Sequence, residues 1–250
     1  MKNYTGWQYL PTKQSKEILS ELIEAKEQQK ALLLISNTGL GKTKTIEMFM
    51  RKNAEHTYKI TVGDSFKLPD VVDAIIEQLN IDFYARKKEG NAIKGKLTAI
   101  AKRLKELQSD NHLPMIVIDE AENLKPSVLK MIKELYDAIH DYASRVLIGT
   151  EQILDSILNR RNKNRQSVPQ LWRRFKAGTR YISPLKKDRD FKPFFDLYIP
   201  GQTSLQGLII SLADNYGELH DFLDPVLIKA SKTGKEVTEE YFCLIHKLAS

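Results

Sequence analysis

The chain has 250 residues, 42% of them hydrophobic and 28% charged, with a formal net charge of +7. That length buries a real core and can hold one large α/β domain with a small appendix, while the positive excess favours a polyanionic partner. Cys243 is the single cysteine, which excludes disulfides and cysteine-based zinc centres within the chain; no apolar run reaches the ~18 residues that cross a bilayer and Met1 to Trp7 lacks signal-peptide character, so a cytoplasmic protein with no membrane contact is expected.

In chain order the first strong signal is the apolar run Ala31-Leu32-Leu33-Leu34-Ile35, a buried strand that leads into Ser36-Asn37-Thr38-Gly39-Leu40-Gly41-Lys42-Thr43-Lys44. A strand, a glycine-containing turn and a helix over 42–51 aim several backbone N–H groups and the positive end of a helix dipole at one place, which suits phosphates. Gly39 and Gly41 permit close approach, Lys42 would reach the β- and γ-phosphates of ATP, and Thr43 would give its hydroxyl to Mg2+. Ser36 replaces the first glycine of the pattern G-x-x-x-x-G-K-[ST], and the bland alternative is a glycine turn before a surface helix.

The pattern then predicts a strand at 58–62, a helix at 68–79 and a long basic helix at 92–108. At 115–119 a short β-branched run ends in Asp119-Glu120, as a buried parallel strand does where it opens onto a ligand crevice. Asp119 would hold Mg2+ through water and Glu120 would orient or deprotonate the attacking water; the alternative is an N-cap Asp before an acidic first helical turn. A helix at 126–142 and strands at 145–149 and 179–182 complete an alternating order that predicts a parallel sheet with helices on both faces. Beyond Ser183-Pro184 the segments 188–198, 203–213, 218–230 and 238–248 read as helices, with Leu205, Leu208, Ile209 and Leu212 at helical spacing as their core. This divides the chain into a nucleotide-binding α/β domain at 1–183 and a small helical lid at 184–250. His56, His112, His140, His220 and His246 are scattered in sequence without metal-ligand spacing, which favours structural or surface roles.

On the 36–43 loop and the Asp119-Glu120 strand end, nearly the whole chain resembles the AAA+ ATPases, and among them the transposition regulators of the MuB, TnsC and IstB kind. The resemblance implies a P-loop AAA+ fold, ATP and Mg2+ as cofactors, and Thr150 as a polar sensor after the strand at 145–149, unless Thr150 only caps the next helix. It implies an arginine finger in Leu171-Trp172-Arg173-Arg174-Phe175, with Arg174 the closer match and Arg173 the reserve. A finger works only across an interface, so a homo-oligomer follows, an ATP-dependent filament or ring. In Gly217-Glu218-Leu219-His220 the family's second sensor arginine is replaced by His220, and near the start Trp7 or Tyr9 would stack on adenine or plug the core. The basic residues Arg86, Lys87, Lys88, Lys94 and Lys96 lie where the family tracks the backbone of double-stranded DNA, the alternative being a solvated helix. The second basic run, residues 160–165, would touch DNA, a neighbour's nucleotide or nothing. Together these imply an ATP-dependent, sequence-non-specific DNA-binding ATPase that recruits or activates a transposase. The alternatives are a helicase loader of the DnaC kind and a non-hydrolysing ATP-binding adaptor.

Overall fold

The structure is a computed structural model that describes residues 4–82, 93–162 and 167–248. Its apolar runs form one parallel sheet of β1 (Ala31–Ile35), β2 (Thr57–Thr61), β3 (Met115–Asp119), β4 (Ser144–Gly149) and β5 (Thr179–Tyr181), in the order β2-β3-β4-β1-β5. Every residue of β1, β3 and β4 is buried. Because successive strand residues point to opposite faces, complete burial means that both faces are covered, the reason these strands read as unbroken apolar runs. Leu33, Ile35, Ile116, Ile118 and Leu147 pack into one cluster with the helices α3 (Leu68–Gln78), α4 (Ile93–Ser109), α5 (Pro126–Ile139), α6 (Glu151–Asn162) and α7 (Ser167–Phe175). Leu32, Leu34, Val146 and Ile148 lie outside that cluster and are buried like Ile18, Leu22, Ile46 and Phe49 of α1 (Lys13–Glu27) and α2 (Lys42–Lys52). The two edge strands β2 and β5 carry exposed or half-buried residues, as edges do.

Arg145 enters β4 as a buried cation. Its guanidinium donates to the carbonyl of His140 at 2.6 Å and lies 4.5 Å over the Tyr136 ring, so it closes the C-terminal end of α5, where a helix dipole favours positive charge.

The chain clusters into two compact units, Glu17–Asn37 with Lys42–Ile182, and Met1–Lys16 with Thr38–Gly41 and Ser183–Ser250. The second of these units takes in the C-terminal helices together with the first residues and the loop tip. In this helical unit the run at 188–198 is two helices, α8 (Lys187–Asp190) and α9 (Lys192–Tyr198), with Pro193 in the first turn of the second, where its missing N–H costs nothing. α10 (Thr203–Leu212), α11 (Tyr216–Thr233) and α12 (Glu239–His246) follow, and Leu205, Ile209, Leu219, Leu223 and Phe242 are fully buried among them. Cys243 packs in the same core. Trp7 is a core plug: it stacks on Tyr198 at 4.7 Å and on Phe194 at 5.5 Å. No described helix is long and apolar enough to cross a membrane.

Asp190 is the unit's polar latch. Buried, it accepts from the Lys186 backbone N–H at 2.9 Å, from Gln14 of α1 at 2.9 Å and from the Arg189 guanidinium at 3.0 Å. Burial pushes its carboxyl up, but these donors win and hold it at about 2. A depressed folded pKa stabilises fully above the unfolded value of about 4 and is lost as pH falls through the folded one. Asp190→Ala should therefore cost about 2 kcal/mol at neutral pH, since charged hydrogen bonds are worth about 1.5–3 each before relaxation. The difference from the parent should shrink below pH 4 (roughly, by the same linkage) in urea melts; a constant gap across that window would refute the ionic origin.

Candidate nucleotide-binding site

β1 delivers the loop. The Ser36 N–H donates to the Gly149 carbonyl at 2.9 Å, which ties the loop's start to the end of β4. Gly39 and Gly41 take left-handed backbone with φ of 72° and 78°, and the chain re-enters helix at Lys42. Lys42 is buried, its Nζ donating to the carbonyls of Ser36 at 3.2 Å and Asn37 at 3.0 Å. The ammonium thus sits inside its own loop. Leu40 is buried, Asn37 and Thr38 are exposed, and the Lys44 side chain turns outward to Glu47 at 3.1 Å.

β3 brings the carboxylates. Asp119, fully buried, accepts from the Thr43 hydroxyl at 3.1 Å through Oδ2 and from the Glu120 N–H at 3.1 Å through Oδ1. Oδ2 also meets the Lys59 ammonium at 3.1 Å. Nothing in the sequence marks Lys59: its role follows from the β2–β3 register, in which Thr61, two residues on and on the same face, pairs with Asp119. Glu120 turns sharply with φ of 55°. Burial first, then the charges of Glu122 and Asp119, push its carboxyl above the ordinary range, which makes it a stronger proton acceptor.

β4 lies between β3 and β1 in the sheet, so Thr150 follows the strand flanked by both halves of the site. Its hydroxyl is buried without a hydrogen-bond partner among the described residues, as is Glu122 Oε2. The Thr150 side chain therefore does not cap α6.

In the helical unit the loop tip meets the start of α11. The Tyr216 N–H donates to the Gly39 carbonyl at 3.1 Å, and a Cβ at Gly39 would stand 2.2 Å from the Asn215 side chain. Asn215 also caps α11 by accepting from the Glu218 N–H at 3.0 Å. His220 is one turn further on, with Nδ1 at 2.9 Å from Asp221 and its ring edge on Trp7 at 5.0 Å. Asn215 and Tyr216, which the sequence does not single out, are the residues at the start of α11 that meet the loop tip.

The remaining expectations scatter. Arg174 is engaged within the chain: Nε donates to Asp137 at 2.6 Å, Nη1 to the Gln170 carbonyl at 2.8 Å, and the guanidinium lies 5.4 Å from the Tyr136 ring centre. Arg173 beside it is exposed, and the two line a surface depression of about 560 Å3 with Tyr136 and Gln170. Lys94 is exposed on α4. Lys96 of α4 has a side chain only 7% exposed, which is ion-paired with Asp73 of α3. Arg86, Lys87 and Lys88 lie outside the described residues, as do the side chains of the 160–165 run.

A family model described as an AAA domain matches residues 25–158. Among solved structures, the chain is similar to the Aeropyrum pernix ORC1 protein in complex with DNA, at 17% identity and a TM-score of 0.64, covering 94% of this chain and 64% of that one. The Aeropyrum pernix ORC2 protein in ADPNP–ADP complexes matches at 13% identity and a TM-score of 0.64, over 99% of this chain and 70% of that one. A Walker-type ATPase of Pyrococcus abyssi matches at 16% identity and a TM-score of 0.62, over 93% and 69%. The chain thus spans about two thirds of the length of these structures, and at such identities the likeness shows the fold. No curated protein matches the sequence.

Proposed function

The chain belongs to the AAA domain family, and from that premise we propose that it is an ATP-dependent, sequence-non-specific DNA-binding ATPase that oligomerises on duplex DNA in the cytoplasm and recruits or activates a transposase. The observation that carries the reading is the meeting of the Thr43 hydroxyl with the buried Asp119 carboxylate beside Lys42, two hard oxygen donors and a cation at one strand–loop junction. Those oxygens suit Mg2+, which when bound neutralises phosphate charge. Lys42 and the loop N–H groups bind the β- and γ-phosphates, the Thr150 hydroxyl orients the attacking water, and Glu120 takes its proton. The helices at 184–250 act as lid to the domain at 1–183, with His220 in the second sensor position. The charge of +7, the exposed Lys94, the Arg86-Lys87-Lys88 run and the fold-level likeness to an ORC1 solved with DNA support a DNA partner. Electron microscopy of the protein on duplex DNA should give filaments or rings only with ATP; no ATP-dependent particle would turn the reading to a non-hydrolysing adaptor. The ORC likenesses favour a second reading, a replication initiator or helicase loader, distinguished by delivery of a replicative helicase to DNA in place of transposase activation.

Arg174→Ala should keep ATP binding and lose turnover and ATP-dependent assembly together, since an arginine finger is worth about 10³-fold or more in rate. Because Asp137 holds Arg174 within the chain, Arg173→Ala is the necessary companion. Loss in Arg173→Ala alone would move the finger there.

Lys59→Met should lower the Mg2+ concentration that half-saturates nucleotide binding by about tenfold, because the ammonium competes for Asp119 at short range in a partly buried site. Fluorescent ATP analogues titrated with Mg2+ read this directly; an unchanged or higher requirement would show that Lys59 does not oppose the ion.

A further inference from the structure

Strand pairing brings together two histidines that the sequence keeps far apart. At the N-terminal ends of the strands Thr57 pairs with Met115, whose N–H donates to the His56 carbonyl at 2.8 Å. His56, just before β2, and His112, just before β3, consequently stand with ring centres 4.0 Å apart and planes tilted by 38°. Glu55 Oε1 lies 3.9 Å from His56 Nε2, and ligand atoms of all three residues fall within 4.8 Å of one another, the one such group among the described residues. Asp119 ends β3 at the opposite end of the strand, so this cluster is separate from the nucleotide loop.

We propose that Glu55, His56 and His112 form a binding site for a divalent transition metal of the zinc class, which pins the start of the edge strand β2 to the start of β3. Two imidazoles and a carboxylate, with a fourth position open to water, make a common zinc donor set. The Tyr58 hydroxyl stands 3.2 Å from His56 Nδ1, so the ring is oriented from behind with Nε2 on the Glu55 side, the arrangement by which an outer partner fixes a metal-binding imidazole. The turn that carries two of the ligands is itself held. Lys26 Nζ donates to the carbonyls of Asn53 at 3.3 Å and Glu55 at 2.7 Å and to the Thr57 hydroxyl at 2.8 Å. Lys26 and the nearby Arg103 also place positive charge around the cluster. That charge opposes any dication, and the selection comes from the two imidazole nitrogens, which favour metals that bond to nitrogen over Mg2+ and Ca2+, the ions of oxygen ligands. Bonds of about 2.0–2.1 Å in tetrahedral geometry put ring centres roughly 5 Å apart, so the imidazoles part by about an ångström on binding. The Glu55 side chain is 81% exposed and can swing in without disturbing packing.

The test is a zinc titration of the full chain, stripped with a chelator and competed against a chromophoric zinc indicator, with melting temperature as a second readout. One equivalent should bind at micromolar or tighter affinity, and zinc should raise the melting temperature by several degrees, because a ligand that binds only the folded state stabilises it. His112→Ala should lose both effects, and so should His56→Asn, chosen because asparagine tolerates the left-handed backbone at this position, where φ is 56°. Tyr58→Phe should weaken zinc by about tenfold or more through the lost outer partner. Asp119→Asn should leave zinc binding intact, which excludes the nucleotide loop as the source. Zinc binding that survives His112→Ala, or that requires millimolar metal, would overturn the proposal.

Discussion

Lys42→Ala is expected to weaken ATP binding by about a hundredfold or more, close to abolition at ordinary nucleotide concentrations. The side chain is buried, and its only described acceptors are the carbonyls of Ser36 and Asn37 on the loop that carries it. Exchanging those acceptors for phosphate oxygens gains charge-assisted hydrogen bonds worth about 1.5–3 kcal/mol each, and every 1.4 kcal/mol is tenfold in affinity. The same geometry warns that the variant also strips a donor from two loop carbonyls, so loss of binding could arise from a collapsed loop. Lys44→Ala separates the causes. Its side chain pairs with Glu47 on the exposed face of α2, so removing it deletes one positive charge from the same helix turn and leaves the loop's internal bonds alone. Calorimetry should find ATP affinity near that of the parent in Lys44→Ala and lost in Lys42→Ala. Equal losses would mean that the phosphates are held by diffuse charge, and retained binding in Lys42→Ala would remove the loop from the site.

The parts of this chain that were readable in sequence are those whose meaning is local. β1, β3 and β4 are buried on both faces and so appear as uninterrupted apolar runs, and the glycines at 39 and 41 announce a turn whatever surrounds them. Lys59 is the opposite case. In the alternating edge strand it reads as an outward lysine, and it becomes a partner of Asp119 only through a register that pairs residues far apart in the chain. The same pairing joins His56 to His112, for which sequence spacing holds no signal. Lys96 is a third kind of case: within a basic helix every lysine looks alike, and whether one is solvated or folded back on Asp73 is decided by the neighbouring helix. In sequence Trp7 reads equally as a base-stacking or a core residue because both need a half-polar aromatic, and in the structure it stacks on Phe194 and Tyr198.

Glu120→Gln should retain ATP binding and lose turnover by about 10²–10⁴-fold, the range of a positioned general base. The substitution keeps side-chain length and the left-handed backbone at φ of 55°, so it removes proton affinity without asking the turn after β3 to change. Three features favour Glu120 over its neighbours as the proposed base. Asp119 is fully buried and committed to Thr43 and Lys59, and so is unavailable to a proton from water. Glu122 has one carboxylate oxygen buried against the end of β4, at 2.5 Å from where a Cβ on Gly149 would sit. Glu120 is half-buried, and burial together with the charges of Glu122 and Asp119 raises its proton affinity. If assembly requires bound ATP, the Gln variant should also lock particles on DNA, because the step that dissolves them is gone. Phosphate release and particle lifetime are then read on the same sample. Wild-type turnover in Glu120→Gln would transfer the role to Glu122, and lost turnover with unchanged particle lifetime would uncouple hydrolysis from disassembly.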